Sequence, residues 1–264
     1  MTDIITDAEL IQKFAAKAME EPAQVIKTRA PSESSVKLPG GFIEPNGEVS
    51  NTVEVRELNG ADEEAVAKAG TSGKALNVLL QRGLVKIGSR NAEKEDLDSI
   101  LAGDRDTILL AIRRVTFGDD INLTARCRDC GDSQEVSVSL GSDVPEVELK
   151  DPKEDRTFEI ETKKGKAVVA LPNGVTQRKL MENFERTPAE VNTILLAGCL
   201  VSLDGEPSEG AITALSLGMA DRTKLVDEII KRNPGPRLGE VTKACKACGE
   251  LMALPLSLLD LFRI

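Results

Sequence analysis

Two short cysteine motifs are the part of the sequence best suited to chemistry. The chain reads CRDCG from Cys127 to Gly131 and CKACG from Cys245 to Gly249. Four thiolates form the closed tetrahedral ligand set of a structural zinc site. The glycine after each pair permits a positive φ where the backbone turns its amides toward sulfur. The motifs therefore predict one structural Zn²⁺ per chain, with these ligands: Cys127, Cys130, Cys245 and Cys248.

Two other interpretations of the cysteine pairs stay open, namely separate redox pairs and a degenerate site without metal. Thioredoxin-type redox motifs lie at a helix N-terminus, which lowers the thiol pKa, whereas both pairs here lie between predicted strands. The pairs are more than a hundred residues apart. Structural zinc binding contributes roughly 10–16 kcal/mol in peptides, enough to offset the closure entropy of a loop this long. The zinc interpretation is therefore the working hypothesis.

Composition excludes several classes of function. The chain has 264 residues, no His and a net charge of -10. Without His there is no Ser-His or Cys-His nucleophile and no imidazole base. The acidic balance and the low aromatic content argue against a nucleic-acid surface. No apolar run approaches the roughly 18 residues of a membrane span, and the N-terminus lacks signal-peptide features. We therefore expect synthesis in the cytoplasm and neither a nucleic-acid nor a membrane partner.

Other candidate sites have simpler structural explanations. The stretch AGTSGKA resembles a phosphate loop, but Ala75 follows Lys74, so an interhelix turn is predicted. Asp104 and Asp221 could be catalytic carboxylates, but each precedes an apolar-periodic helix and is predicted to be an N-cap. Cys199 lies in the apolar run LLAGCLV and is predicted to be a core thiol. The basic residues near the cysteines favour a solvated surface, with an acidic partner or thiolate stabilisation left open: Arg126, Arg128, Lys243 and Lys246.

The N-terminus reads as a helical arm. Thr6 and Glu9 form a capping box at the start of an amphipathic segment, and RAPSESSVK reads as a linker. This arm, residues 1–37, could dock on another chain or on its own domain. Both alternatives stay open.

The rest of the chain reads as a duplication. NTILLAGCLV matches NVLLQRGLV, pairing Asn192 with Asn77 and Gly198 with Gly83. MADRTKLVDEIIKR matches GDRDTILLAIRR, and each match is followed by a C-x-x-C-G motif. The predicted fold class is α+β, with two tandem copies of a strand–helices–zinc-knuckle hairpin unit that share one four-cysteine site. The predicted bounds are 38–140 for unit A, 141–157 for an acidic linker and 158–264 for unit B.

Three stretches carry a family resemblance. LPGGFIEPNGEVSNTVEVRELNGADEE, LAGDRDTILLAIRRVTFG and the C-x-x-C-G units resemble the baseplate family of contractile-tailed bacteriophages, over roughly residues 38–262. The resemblance implies a non-enzymatic structural component of the tail or baseplate, made in the host cytoplasm and located in the virion. It implies other tail and baseplate proteins as partners, a homo-oligomer as one option in a symmetric assembly, and the same four cysteines as zinc ligands.

Two alternative functions remain at this stage. One is a tail assembly chaperone that is absent from the mature virion. The other is a zinc-ribbon regulator that binds nucleic acid, which the net charge of -10 disfavours.

Overall fold

The computed structural model describes residues 34–182 and 186–262. The predicted N-terminal helix and most of the arm lie outside these residues. The first half of the described chain alternates pairs of strands with pairs of helices. In chain order its elements are β1 (Ser35–Ile43), β2 (Val49–Val55), α1 (Gly60–Ala67), α2 (Ser72–Gly83), β3 (Leu84–Ile87), β4 (Arg90–Asn91), α3 (Asp96–Ser99), α4 (Ala102–Phe117), β5 (Asp120–Arg126) and β6 (Ser133–Ser139).

The second half runs through a similar series after the short strand β7 (Glu146–Val147). A 3₁₀ turn, Leu238–Glu240, precedes its last hairpin. The elements are β8 (Thr157–Thr162), β9 (Gly165–Ala170), α5 (Gly174–Met181), α6 (Pro188–Cys199), β10 (Leu200–Leu203), β11 (Glu206–Pro207), α7 (Ala211–Ser216), α8 (Met219–Arg232), β12 (Gly235–Pro236), β13 (Thr242–Ala244), β14 (Leu251–Ala253) and α9 (Leu258–Phe262).

Within residues 34–182 and 186–262 the strands form two four-stranded sheets and three two-stranded ones. The larger sheets have the orders β1-β2-β3-β4 and β8-β9-β10-β11, and every pairing is antiparallel. The pairs β5-β6 and β13-β14 are hairpins, and β7 pairs with β12. Helices beside antiparallel sheets make the fold α+β, as predicted.

Side-chain caps explain where four of the helices begin. Asn59 and Asn173 cap α1 and α5, and Thr71 and Thr187 cap α2 and α6. Each cap accepts a backbone N–H that the helix itself cannot satisfy. Pro188 stands in the first turn of α6, where the N–H that proline lacks would have no partner within the helix. The segment AGTSGKA, which resembles a phosphate loop, is the turn between α1 and α2, as predicted, and Thr71 within it caps α2.

The predicted N-cap role of Asp104 and Asp221 is wrong. Helices α4 and α8 begin at Ala102 and Met219, so both aspartates lie in the first helical turn. The Asp104 carboxylate accepts the Gly40 N–H at 2.7 Å, and the Asp221 carboxylate accepts the Lys163 N–H at 3.1 Å. Each aspartate thus joins its helix to the first hairpin of its own half.

In the part of the chain that the structure describes, apolar side chains form three cores. One lies between the first sheet and helices α2 and α4, where Ile108, Leu109 and Ile112 are buried. A second lies between the second sheet and helices α6 and α8. The third lies between the two cysteine hairpins. Among the residues that the structure describes, no helix combines the length and apolar character of a membrane span.

Candidate metal centre

Each cysteine pair lies in the turn of a β-hairpin. In the first hairpin Arg126 pairs with Ser133, and in the second Ala244 pairs with Leu251. The first cysteine of each motif directly follows the last paired residue. The two turns therefore have the same length and the same register. Cys127 is equivalent to Cys245, and Cys130 is equivalent to Cys248.

The two turns also share their backbone hydrogen bonds. Cys127 N–H donates to the Asp132 carbonyl at 2.8 Å, and Gly131 N–H donates to the Cys127 carbonyl at 3.1 Å. In the second turn the Cys245 and Gly249 amides make the corresponding bonds, at 2.8 and 2.9 Å. Gly131 and Gly249 have φ of 77° and 80°, in the region where a residue with a Cβ is strained. This explains why glycine follows each pair.

The turns bring all four sulfurs together. Cys127 Sγ lies 3.7 Å from Cys248 Sγ, and Cys130 Sγ lies 3.7 Å from Cys245 Sγ. All four sulfurs lie within 4.8 Å of one another. A tetrahedral site with Zn–S bonds of about 2.3 Å places its sulfurs about 3.8 Å apart. The four thiols, which form no disulfide, could therefore hold a metal ion without large movement.

The centre has a buried side and an exposed side. Cys127 and Cys245 are 1% and 3% exposed, whereas Cys130 and Cys248 are exposed to solvent. The buried cysteines form part of the third core, with these apolar neighbours: Val136, Val138, Val241, Met252 and Leu254. The candidate metal site and the third core thus connect the same two hairpins.

Neighbouring dipoles and thiols set the protonation of the sulfurs. Backbone N–H groups of Cys248 and Ala247 lower the pKa of Cys245 to about 6. The Glu250 N–H favours the Cys248 thiolate, but desolvation and the adjacent thiols raise the pKa of Cys248 to about 12. Clustered thiols resist ionising together because their negative charges repel. A bound cation reverses this effect, since a coordinating thiol is deprotonated outright.

Gln134 supports the centre, although the sequence analysis did not identify it. Its Nε2 donates to Cys245 Sγ at 3.0 Å, and its Oε1 accepts the Lys246 N–H at 3.0 Å. Lys246 Nζ donates to the Glu135 carbonyl at 2.8 Å. The first hairpin thereby orients a thiol of the second. Gln134 follows Cys130 by the same interval at which Met252 follows Cys248, and these two side chains are in contact, but the equivalence by itself gives no signal for a role at the metal centre.

The basic residues near the turns make local structural contacts. Arg126 Nε donates to the Gly131 carbonyl at 3.1 Å, inside its own turn. Lys243 forms an ion pair with Asp143 at 2.6 Å. Arg128 is exposed. These contacts account for Arg126, Lys243 and Lys246 as supports of the hairpins.

Cys199 lies apart from the four-cysteine centre. It is 1% exposed in the second core, and burial raises the pKa of its thiol to about 12. The prediction of a core thiol is confirmed.

The comparisons with known proteins add one match. A family model described as "T4 bacteriophage base plate protein" matches residues 43–206, more than half of the chain. The matched range includes Cys127 and Cys130 and ends before Cys245. Searches of curated proteins and of solved structures gave no match.

Proposed function

The chain belongs to the T4 bacteriophage base plate protein family, and we propose from this premise that it is a non-enzymatic structural component of a phage baseplate. In this proposal one zinc ion clamps the two halves of the chain. The observation that carries the clamp is the meeting of four sulfurs from hairpins more than a hundred residues apart. The protein's place is the tail of the virion, and its partners are other baseplate proteins.

The proposed architecture is an internal duplication. Both halves follow the order strand pair, helix pair, strand pair, helix pair, cysteine hairpin, and their four-stranded sheets share one order. Aligning the two halves by the equivalent caps Thr71 and Thr187 makes Asn77 equivalent to Thr193. The sequence match pairs Asn77 with Asn192 instead, one position earlier. In this proposal unit A is 38–140, unit B is 158–264 and residues 141–157 connect them.

Zinc in this centre would be structural. Cys127, Cys130, Cys245 and Cys248 would fill all four positions of a tetrahedral ion, which leaves none for water or substrate. Because each hairpin supplies two ligands, metal binding would require both hairpins in their native positions. The binding free energy would then stabilise the arrangement of the halves.

Purified phage particles offer the test of the structural role. Quantitative mass spectrometry of intact particles should find this chain at a fixed ratio to other baseplate proteins. If the chain is needed for assembly but absent from finished particles, it is an assembly chaperone and the structural proposal is wrong. A gel shift at low salt tests the regulator alternative, and no shift is expected from an acidic chain.

A further inference from the structure

The two halves meet through the start of α5. The Ala102 N–H donates to the Pro172 carbonyl at 2.8 Å, and the Gly174 N–H donates to the Ile100 carbonyl at 2.9 Å. Beside this backbone pairing, Arg105 Nε donates to Gln177 Oε1 at 2.5 Å. Arg105 is 1% exposed. We call this contact the internal junction.

Arg222 in the second half repeats the local contacts of Arg105. Arg105 donates back eight residues to the Leu97 carbonyl, and Arg222 donates back eight residues to the Ala214 carbonyl. The second terminal nitrogen of Arg105 donates to Asn77 in α2, and that of Arg222 donates to Thr193 in α6. The two guanidinium groups therefore occupy equivalent positions.

Among the residues that the structure describes, none covers Arg222 in the way that α5 covers Arg105. Arg222 is partly exposed, and its Nε has no acceptor among residues 34–182 and 186–262. The two short stretches of helix that meet at Arg222 carry exposed apolar side chains: Ile212 at 67% and Leu215 at 67% on α7, and Met219 at 87% on α8. We call this the open face. An exposed cluster of large apolar residues marks an interaction surface more often than a solvated one.

The matching surface lies at the start of α1, the counterpart of α5. Asn59 and Asn173 are the equivalent caps, so Gly60 corresponds to Gly174 and Glu63 to Gln177. At Gly174 a Cβ would overlap the Leu97 carbonyl across the internal junction, whereas a Cβ at Gly60 would meet no atom of residues 34–182 and 186–262 within 4 Å. Contacts within the described part of the chain therefore do not explain glycine at position 60, but an equivalent contact with a second chain does.

Phe117 also indicates a contact with a second chain. In the duplicated register it corresponds to Pro234, which is buried against Gly40 and Gly103, next to the internal junction. Phe117 is 61% exposed. An aromatic ring at a position that is buried in the other half suggests that a partner covers it.

We propose that a second copy of this chain docks head to tail, with the start of α1 of one copy on the open face of the next. Glu63 of one copy would then accept a hydrogen bond from Arg222 of its neighbour, as Gln177 does from Arg105. The Glu63 carboxylate would make this contact a pair of opposite charges, whereas the Arg105 cation bonds to the uncharged Gln177 amide. The internal junction also contains the ion pair Asp98–Arg178. The proposed contact between copies has no such ion pair, because Leu215 is equivalent to Asp98 and Glu64 is equivalent to Arg178. Specificity would therefore rest on Glu63 and Arg222.

This proposal rests on the duplication proposed above but not on the metal. A head-to-tail contact is heterologous, so it builds a closed ring or an open filament rather than a twofold dimer.

Charge reversal tests the docking directly. Sedimentation velocity of the full chain, in low salt and over a range of concentrations, should show assemblies larger than a monomer. Glu63→Arg and Arg222→Glu should each reduce association at least tenfold, because each places like charges at the contact. Mixing the two variants should restore association, since every Arg then meets a Glu. Lys153→Glu, an exposed charge elsewhere, is the matched control and should change nothing.

Glu63 is exposed, so its reversal should leave the fold intact and keep the test valid if Arg222→Glu unfolds. A monomeric wild type, association insensitive to Glu63→Arg, or no recovery on mixing would each overturn the proposal. Zinc analysis of the same samples separates this result from the clamp, because a monomer with one zinc contradicts only the docking.

Discussion

Gln134 and Cys245 belong to different hairpins, and the Gln134 side-chain amide donates to the Cys245 sulfur across 3.0 Å. The same side chain accepts a backbone N–H from Lys246. One residue of the first half thus holds both a proposed ligand and the turn that carries it.

Gln134→Leu should weaken zinc binding by about 10- to 100-fold, the usual effect of losing a hydrogen bond to a metal ligand. Competition with a chromogenic chelator measures the affinity. Gln81→Leu is the control, because Gln81 is exposed on α2 and away from the hairpins. Equal affinities for both variants would show that Gln134 does not support the metal.

Gly103→Ala should destabilise the protein, although alanine normally favours a helix by about 1 kcal/mol over glycine. A Cβ at residue 103 would overlap the Pro234 carbonyl, so the two backbones must separate. Urea unfolding should show a loss of about 2 kcal/mol or more, in the range of an overpacked core. Gly60→Ala, also in the first turn of a helix but with free space around it, should not destabilise the monomer.

Arg105→Met should cost about 3 kcal/mol or more of unfolding free energy. Its guanidinium satisfies Gln177 Oε1, the Leu97 carbonyl and Asn77 Oδ1, and each buried acceptor left without a donor costs about 1–3 kcal/mol. Arg222→Met removes the equivalent contacts at a partly exposed position, where water can replace the donor. The decrease in unfolding free energy should therefore be smaller for Arg222→Met. A larger decrease for Arg222→Met than for Arg105→Met would contradict the deeper burial of Arg105.

Asp104 should make stability fall as pH rises. Burial raises the pKa of Asp104 to about 7, so the folded state binds this proton more tightly than the unfolded state does. The stabilisation is full below about pH 4, the range of an unfolded aspartate, and is lost as pH rises through 7. Asp104→Asn should flatten the dependence between pH 5 and 8 and raise stability at pH 8.

Urea titrations at several pH values measure this slope. Part of it should remain in the variant, because burial also raises the pKa of Asp106 to about 7. Glu154→Gln, at an exposed site outside the proposed docking contact, serves as the control. An unchanged slope in Asp104→Asn would show that this carboxyl is not the group responsible.

Local patterns were sufficient to predict the α+β class and the turns that carry the four thiols. The strands on both sides of Cys127 and Cys130 indicated a hairpin, and Thr187 followed by Pro188 is a typical helix start, which α6 has there. These features depend on residues close together in sequence, where cap chemistry and alternation act directly.

Contacts between distant segments were not predictable in the same way. Asp104 reads as an N-cap because it precedes an apolar stripe, but the helix begins earlier, where Ala102 bonds to the Pro172 carbonyl. Gln134 carries no motif of its own and gains its role only when the second hairpin is adjacent. Contacts with distant segments determine the roles of both residues, and the neighbouring sequence gives no signal for those contacts.

Metal analysis of the purified full chain tests the central claim most directly. Plasma mass spectrometry should find one zinc per chain in the wild type and in Cys199→Ser, whose thiol lies in the second core. The Cys127→Ser, Cys245→Ser double variant removes one ligand from each hairpin and should contain none. Wild-type protein that is folded but free of metal would contradict the zinc clamp.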